Sequence, residues 1–241
     1  MIDVKPGFID IHAHLLPIQD GPVNMEQAID AVRIAENSNI AAMILTPHYS
    51  SGDNAYSKEN VEEVFGRLKE RINKEKIKVN LFLGNECVVD EKIFDAIKRK
   101  KAYTLNQTEY VLVEYPFYQV PCDFQSILYQ LMDNGYKPII AHPERNSFIE
   151  TYLDSILELR ENGCMIQINA ESILGKYGRL CKKYAVRILK NRQADIIASD
   201  AHSTKSRTPA NLKKAYDKVR RFADEKYISD LFINNPGITI T

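Results

Sequence analysis

Phe8-Ile9-Asp10-Ile11-His12 is a short apolar run, interrupted by one aspartate and ended by a histidine. Six more runs of this kind follow: residues 41–46 (AAMILT), 79–84 (VNLFLG), 110–114 (YVLVE), 138–141 (PIIA), 165–169 (MIQIN) and 195–198 (DIIA). Near-continuous hydrophobicity with many β-branched residues suits strands buried on both faces, as in parallel sheets. The stretches between them carry helical periodicity. Ser57 precedes Val61, Val64, Phe65, Leu68 and Ile72, which recur every three or four residues behind a capping side chain. Asp90 stands in the same way before Ile93, Phe94 and Ile97, and Asp123 before Phe124, Ile127, Leu128, Leu131 and Met132. Helices are also expected over 24–37, 151–162, 176–191 and 208–225. Seven strands, each followed by a helix, predict an α/β barrel in preference to an open doubly wound sheet. At 241 residues the chain is long enough for a single such domain over 1–241.

Composition narrows the function classes. Hydrophobic residues make up 44%, enough for a sizeable core. Lys+Arg and Asp+Glu are both 32, so no net field gathers nucleic acid or coats an anionic membrane. An anionic substrate must be attracted by a local site. The basic run 98–101 (KRKK) fits a solvated helix end. Cys87, Cys122, Cys164 and Cys181 stand far apart, with no spacing of a disulfide framework or zinc knuckle. No basic stretch precedes an N-terminal apolar run and no segment approaches membrane-spanning length, so a cytoplasmic protein with no membrane insertion is expected.

The five histidines are His12, His14, His48, His142 and His202, and each falls at or just after the end of a predicted strand. In α/β folds the loops leaving the strands converge at that edge. Glu86, Glu114 and Asp200 hold similar positions, and Asp20 lies in the loop after the first strand. In His12-Ala13-His14 the period-two spacing turns both rings the same way, and Asp200-Ala201-His202 repeats the arrangement. Imidazoles with carboxylates suit manganese, iron or zinc in a site where a carboxylate bridges two ions. Arg145 and Arg207 stand beside this set. A guanidinium near metal ions needs an anion between them, and phosphate matches its fork.

The segments Ile9-Asp10-Ile11-His12-Ala13-His14, Thr46-Pro47-His48, Gly84-Asn85-Glu86, Ile140-Ala141-His142-Pro143-Glu144-Arg145 and Ala198-Ser199-Asp200-Ala201-His202 resemble the polymerase and histidinol phosphatase (PHP) superfamily. Within it, the chain is most similar to bacterial manganese-dependent tyrosine phosphatases of capsular and exopolysaccharide operons. The resemblance implies a distorted seven-stranded (β/α)7 barrel with three Mn2+ ions. By matching position, it places His12, His14, Glu86 and Asp200 on the first ion. Glu86 bridges to a second, held by Glu114 and His142, and Asp20, His48 and His202 hold the third. Arg145 and Arg207 match arginines that bind the substrate phosphate, and His202 or a water would protonate the leaving group. The implied partner is the phosphotyrosine tail of a bacterial tyrosine kinase. This chain departs from the pattern in having one aspartate, Asp20, before the glycine of the first loop, and a segment 1–7 ahead of the first strand.

Other readings follow from the same residues. Histidinol-phosphate hydrolysis would use the same site, a nuclease is disfavoured by the zero net charge, and an inert metal scaffold leaves the arginines without a role. Cys181 and Arg187 make the C-x5-R spacing of cysteine phosphatases, but the residues between include no glycine and predict helix. Six residues of helix turn through ~600°, which points the two side chains apart.

Overall fold

The computed structural model describes residues 7–18, 21–50, 57–116 and 123–241. Their strands are β1 (Phe8–Ala13), β2 (Ile40–Leu45), β3 (His48–Tyr49), β4 (Asn80–Leu83), β5 (Glu86–Val88), β6 (Tyr110–Glu114), β7 (Lys137–Ala141), β8 (Met165–Asn169) and β9 (Ile196–Ala198). All pairings are parallel. One sheet runs β1-β2-β4 and the other β3-β5-β6-β7-β8-β9. The fold is therefore α/β with parallel sheets, but nine strands in two sheets stand where seven in one closed barrel were expected.

The difference arises at two breaks. Pro47 has no N–H to give a ladder, and it separates β2 from β3. Gly84-Asn85 separates β4 from β5, and a side chain at Gly84 would put its Cβ 2.7 Å from Leu105. Pairing is offset equally on both sides of the breaks: Leu45 lies opposite Leu83 and His48 opposite Glu86. Asn85 bridges the gap by donating to the Pro47 carbonyl at 2.8 Å and accepting from the Tyr103 amide at 2.8 Å. At the other seam, β1 meets the end of β9 through a single bridge, Ala13 to Ala201. Three hydrogen bonds reinforce it: Asp200 N–H to the His12 carbonyl at 2.9 Å, His14 N–H to the Ala201 carbonyl at 2.7 Å, and Ser199 N–H to Asp10 Oδ1 at 2.9 Å.

The α-helices are α1 (Met25–Asn37), α2 (Lys58–Lys74), α3 (Ile93–Lys98), α4 (Phe124–Asp133), α5 (Ile149–Glu161), α6 (Ala170–Leu174), α7 (Gly178–Lys190), α8 (Ala210–Val219), α9 (Glu225–Ser229) and the single turn α10 (Asn235–Gly237). Asn24 and Ser57 cap α1 and α2 with their side chains, whereas Asp123 makes no such bond. The segment expected as one helix over 208–225 ends at Val219, and Asp224 caps a separate α9 through the Tyr227 amide. Most buried apolar residues fill the layer between strands and helices, including Val32, Leu68, Leu128, Ile156 and Ile188. A smaller cluster brings Ile11, Ile44, Leu112, Ile139 and Ile196 together from both sheets. No described helix is long and apolar enough to cross a membrane.

Candidate metal centre

Glu86 begins β5 directly after the Gly84-Asn85 break and is 1% exposed. Its Oε2 meets Nε2 of His12 at 3.1 Å, of His14 at 3.0 Å and of His48 at 3.0 Å, and its Oε1 meets Nε2 of His142 at 2.8 Å. Four imidazoles thus surround one buried carboxylate. His48 also reaches Glu114 Oε1 at 3.3 Å. Asp200 Oδ1 lies 3.6 Å from His12 Nε2 and 3.7 Å from His14 Nε2, and those two nitrogens are 3.0 Å apart. The His202 ring stacks on His14 with centroids 4.1 Å apart.

The elements explain this convergence. The seam between β1 and β9 brings the two ends of the motif set together, and the equal offset across the breaks puts His48 opposite Glu86. His142 and Asp200 follow β7 and β9 with φ of 31° and 52°, and Arg207 has φ of 47°. Non-glycine residues held in left-handed backbone cost on the order of 1–3 kcal/mol each, and such strain gathers at functional sites.

Burial alone would lower the pKa of the His12 imidazole. Glu86, Asp200 and the hydrogen bonds from Glu86 and Gln167 outweigh it and raise the value to about 9. Despite its own desolvation, Glu86 is held well below the usual carboxylate range by His12, His14 and His142. Asp200 is depressed against its burial by His12, Arg207 and His142. For His202, burial, His14 and Arg207 together lower the pKa to about 3. Its Nδ1 lies 3.0 Å from the Asp200 carbonyl, which can only accept, so the proton sits on Nδ1 and Nε2 carries a lone pair. That form ligates a metal or takes up a proton.

Three sets of ligand atoms lie within 4.8 Å of one another: His12, His14 and Asp200; His12, Glu86 and His142; and His14, His48 and Glu86. Metal–ligand bonds of about 2.0–2.2 Å put donor atoms on one ion about 3–4 Å apart, so the spacing and the imidazole–carboxylate chemistry both fit divalent ions. His12, His14 and Glu86 recur among the sets, as bridging groups would. The sets divide differently from the arrangement that the resemblance implies. One set joins His48 to His14 and Glu86, where the strand ladder seats it opposite Glu86. Asp20 lies outside the described residues.

Arg145 and Arg207 both grip Asp200, Nη1 of Arg145 on Oδ2 at 2.6 Å and Nη2 of Arg207 on Oδ1 at 2.5 Å. The anion between the guanidiniums and the ligand cluster is therefore a carboxylate of the protein itself. Asn169 donates to the same Asp200 Oδ2 at 2.6 Å, and Gln167 Oε1 accepts from His12 Nδ1 at 2.9 Å. Sequence reasoning missed both, although two polar residues at period two in the strand M-I-Q-I-N were a usable signal. It also missed Glu171. Its Oε1 accepts from Lys176 Nζ at 2.7 Å, Asn211 Nδ2 at 2.7 Å and the Arg207 amide at 3.2 Å, which fastens the turn carrying Arg207. Glu144 ties the turn after β7 to β8 by accepting from the Asn169 amide at 2.9 Å.

Cys181 lies on α7, within hydrogen-bonding reach of Ser172, with its thiol pushed up to about 12 by burial. No phosphate-cradling loop accompanies it. A separate groove of about 570 Å³ beside α2, lined by Lys58, Phe65, Lys69 and Tyr103, holds none of the ligands above.

The capsular polysaccharide synthesis family CpsB/CapC matches residues 8–241. The putative tyrosine-protein phosphatase CapC of Staphylococcus aureus is 34% identical over 236 residues, covering 97% of this chain and 91% of the relative. The tyrosine-protein phosphatase YwqE of Bacillus subtilis is 32% identical over 218 residues, covering 90% and 86%. A crystal structure from the work on YwqE of B. subtilis and CpsB of Streptococcus pneumoniae, described as unique metal-dependent tyrosine phosphatases, matches with a TM-score of 0.89. Its sequence is 30% identical, and the match covers 96% of this chain and 94% of that one.

Proposed function

The chain belongs to the CpsB/CapC family of capsular polysaccharide synthesis, and from that membership we propose that it is a metal-dependent tyrosine-protein phosphatase. The observation that carries the reading is the pair of arginines converging on Asp200 at the edge of a histidine–carboxylate cluster. Metal ligands alone would serve many hydrolases. Two guanidiniums beside them select a substrate with a compact multivalent anion.

In this reading His12, His14, Glu86, Glu114, His142 and Asp200 would hold two ions, and His48 and His202 would hold a third with Asp20. Manganese is the ion we assign. Ions held there would supply Lewis-acid polarisation of phosphoryl oxygens and a water whose pKa is lowered toward about 7. Arg145 and Arg207 each hand part of their hydrogen bonding from Asp200 to the phosphate oxygens, offsetting charge that builds in the transition state. Asn169 then keeps Asp200 oriented while its arginine partners engage substrate. Gln167 fixes the His12 tautomer, leaving Nε2 directed at Glu86. His202, with Nδ1 on the Asp200 carbonyl, directs Nε2 away from that carbonyl, and we assign it as a ligand, with His202 or a water as the source of the leaving-group proton. A tyrosine phenolate, with a reference pKa of about 10, leaves without strong general-acid help.

The substrate we assign is a phosphotyrosine tail of a bacterial tyrosine kinase, met in the cytoplasm. The near-closure of β1 on β9 and the equal offset across the strand breaks support a distorted seven-stranded barrel, one domain over residues 1–241. With manganese added, phosphotyrosyl peptide, histidinol phosphate and single-stranded DNA compared side by side should show the peptide with the highest kcat/KM. A large preference for histidinol phosphate overturns the substrate assignment, and one for DNA overturns the monoesterase class.

A further inference from the structure

An aromatic residue outside the ligand set touches Arg145, one of the two arginines on Asp200. Tyr177 stands in the short connection between α6 and α7, flanked by Gly175 and Gly178 with φ of +87° and +90°. Glycine takes this left-handed backbone without the strain that a Cβ brings, so the two turns can reverse the chain tightly around Lys176-Tyr177. The two side chains are drawn to different partners. Lys176 pairs with Glu171 at 2.7 Å, and the Tyr177 ring lies under Arg145, with the guanidinium carbon 4.4 Å from its centroid. The Tyr177 hydroxyl is buried and makes no hydrogen bond among the described residues. The contact to the site therefore runs through the ring.

A guanidinium seated on an aromatic face loses the freedom to tilt, while the N–H groups on its edge stay available. Arg145 shows this: its Nη1 reaches Asp200 Oδ2 at 2.6 Å while its carbon sits over the ring. An unsupported arginine must be ordered by the phosphate itself, and that ordering is subtracted from affinity. We infer that Tyr177 is a positioning residue of the phosphate grip, its ring holding the plane of Arg145 so that the guanidinium edge meets the bound anion. This rests on the phosphatase reading above. It predicts that the ring matters and the hydroxyl does not.

The test compares Tyr177→Phe with Tyr177→Leu in manganese-loaded protein, using p-nitrophenyl phosphate as substrate and inorganic phosphate as inhibitor and calorimetric ligand. Tyr177→Phe should keep KM and phosphate affinity within about twofold, because the stack survives. Tyr177→Leu should weaken both by ~10-fold while kcat changes less than about threefold, with metal content and Tm as in the parent. In an Arg145→Ala background the leucine change should add less than about twofold, since the residue acts through that arginine. Unchanged phosphate affinity in Tyr177→Leu overturns the inference. So does equal damage in Tyr177→Phe, loss of metal along with phosphate, or a full additive loss in the double variant. Parent protein that binds phosphate but hydrolyses no ester overturns the phosphatase reading instead, and the binding comparison still decides the role of Tyr177.

Discussion

At the scale of single residues, the centre is organised around Glu86 and Asp200, one gathering imidazoles and the other guanidiniums. Every described histidine and carboxylate singled out in the sequence reaches this centre, because each stands near the end of a strand or, as His48 and Glu86 do, at the start of the short strand that resumes after a break. Residues whose role depends on a distant partner were not legible. Gln167 and Asn169 interrupt an apolar strand, and only the fold shows that they face His12 and Asp200. Tyr177 belongs to no motif at all. Replacing Gln167 by leucine removes the acceptor that orients His12, and metal titration should show affinity weakened ~10–100-fold; unchanged affinity would mean that Gln167 orients nothing. Arg207→Ala should lower kcat/KM for phosphotyrosyl peptide ~10–1000-fold, the loss of a charge-assisted contact of about 1.5–4 kcal/mol. Elemental analysis of the same variant should find its metal content intact, and turnover close to that of the parent would remove Arg207 from the phosphate grip.

At the scale of elements, strand positions were legible because burial on both faces leaves an unmistakable apolar run. Their continuity was not. Pro47 and Gly84-Asn85 end two of the expected runs, and the short β3 and β5 that resume beyond them, beginning at His48 and Glu86, were not expected. A proline and a glycine mark such breaks in sequence, but only the register shows that pairing resumes with the same offset. The expected helix over 176–191 begins later, at Gly178, because the left-handed glycines turn the chain first, and the short α6 ahead of it went unread. Helix α7 also decides against thiol chemistry. It carries Cys181 and Arg187 with no loop between them, and the buried thiol is pushed up to about 12, far from the thiolate form at neutral pH. Cys181→Ser should therefore keep near-parent turnover, and iodoacetamide at pH 7 should leave the native protein active. Collapse of activity in a folded Cys181→Ser protein would contradict the metal mechanism.

At the scale of the whole molecule, a chain with equal numbers of acidic and basic residues relies on one local concentration of charge. Imidazoles and carboxylates neutralise one another inside the centre, and the arginines at its edge supply the positive face. The whole centre depends on the seam between β1 and β9, since Asp200 and His202 follow the last strand and meet His12 and His14 from the first. A fold that brings distant parts of the chain onto one set of ions makes activity a property of the metal-loaded, fully folded protein. The most direct measurement is turnover of a phosphotyrosyl peptide while manganese is titrated into protein stripped by a chelator and then freed of it. We predict no turnover in the stripped protein, and activity that rises until more than one equivalent of metal is bound. Turnover that survives complete stripping, or full activity reached with a single bound ion, would contradict the account.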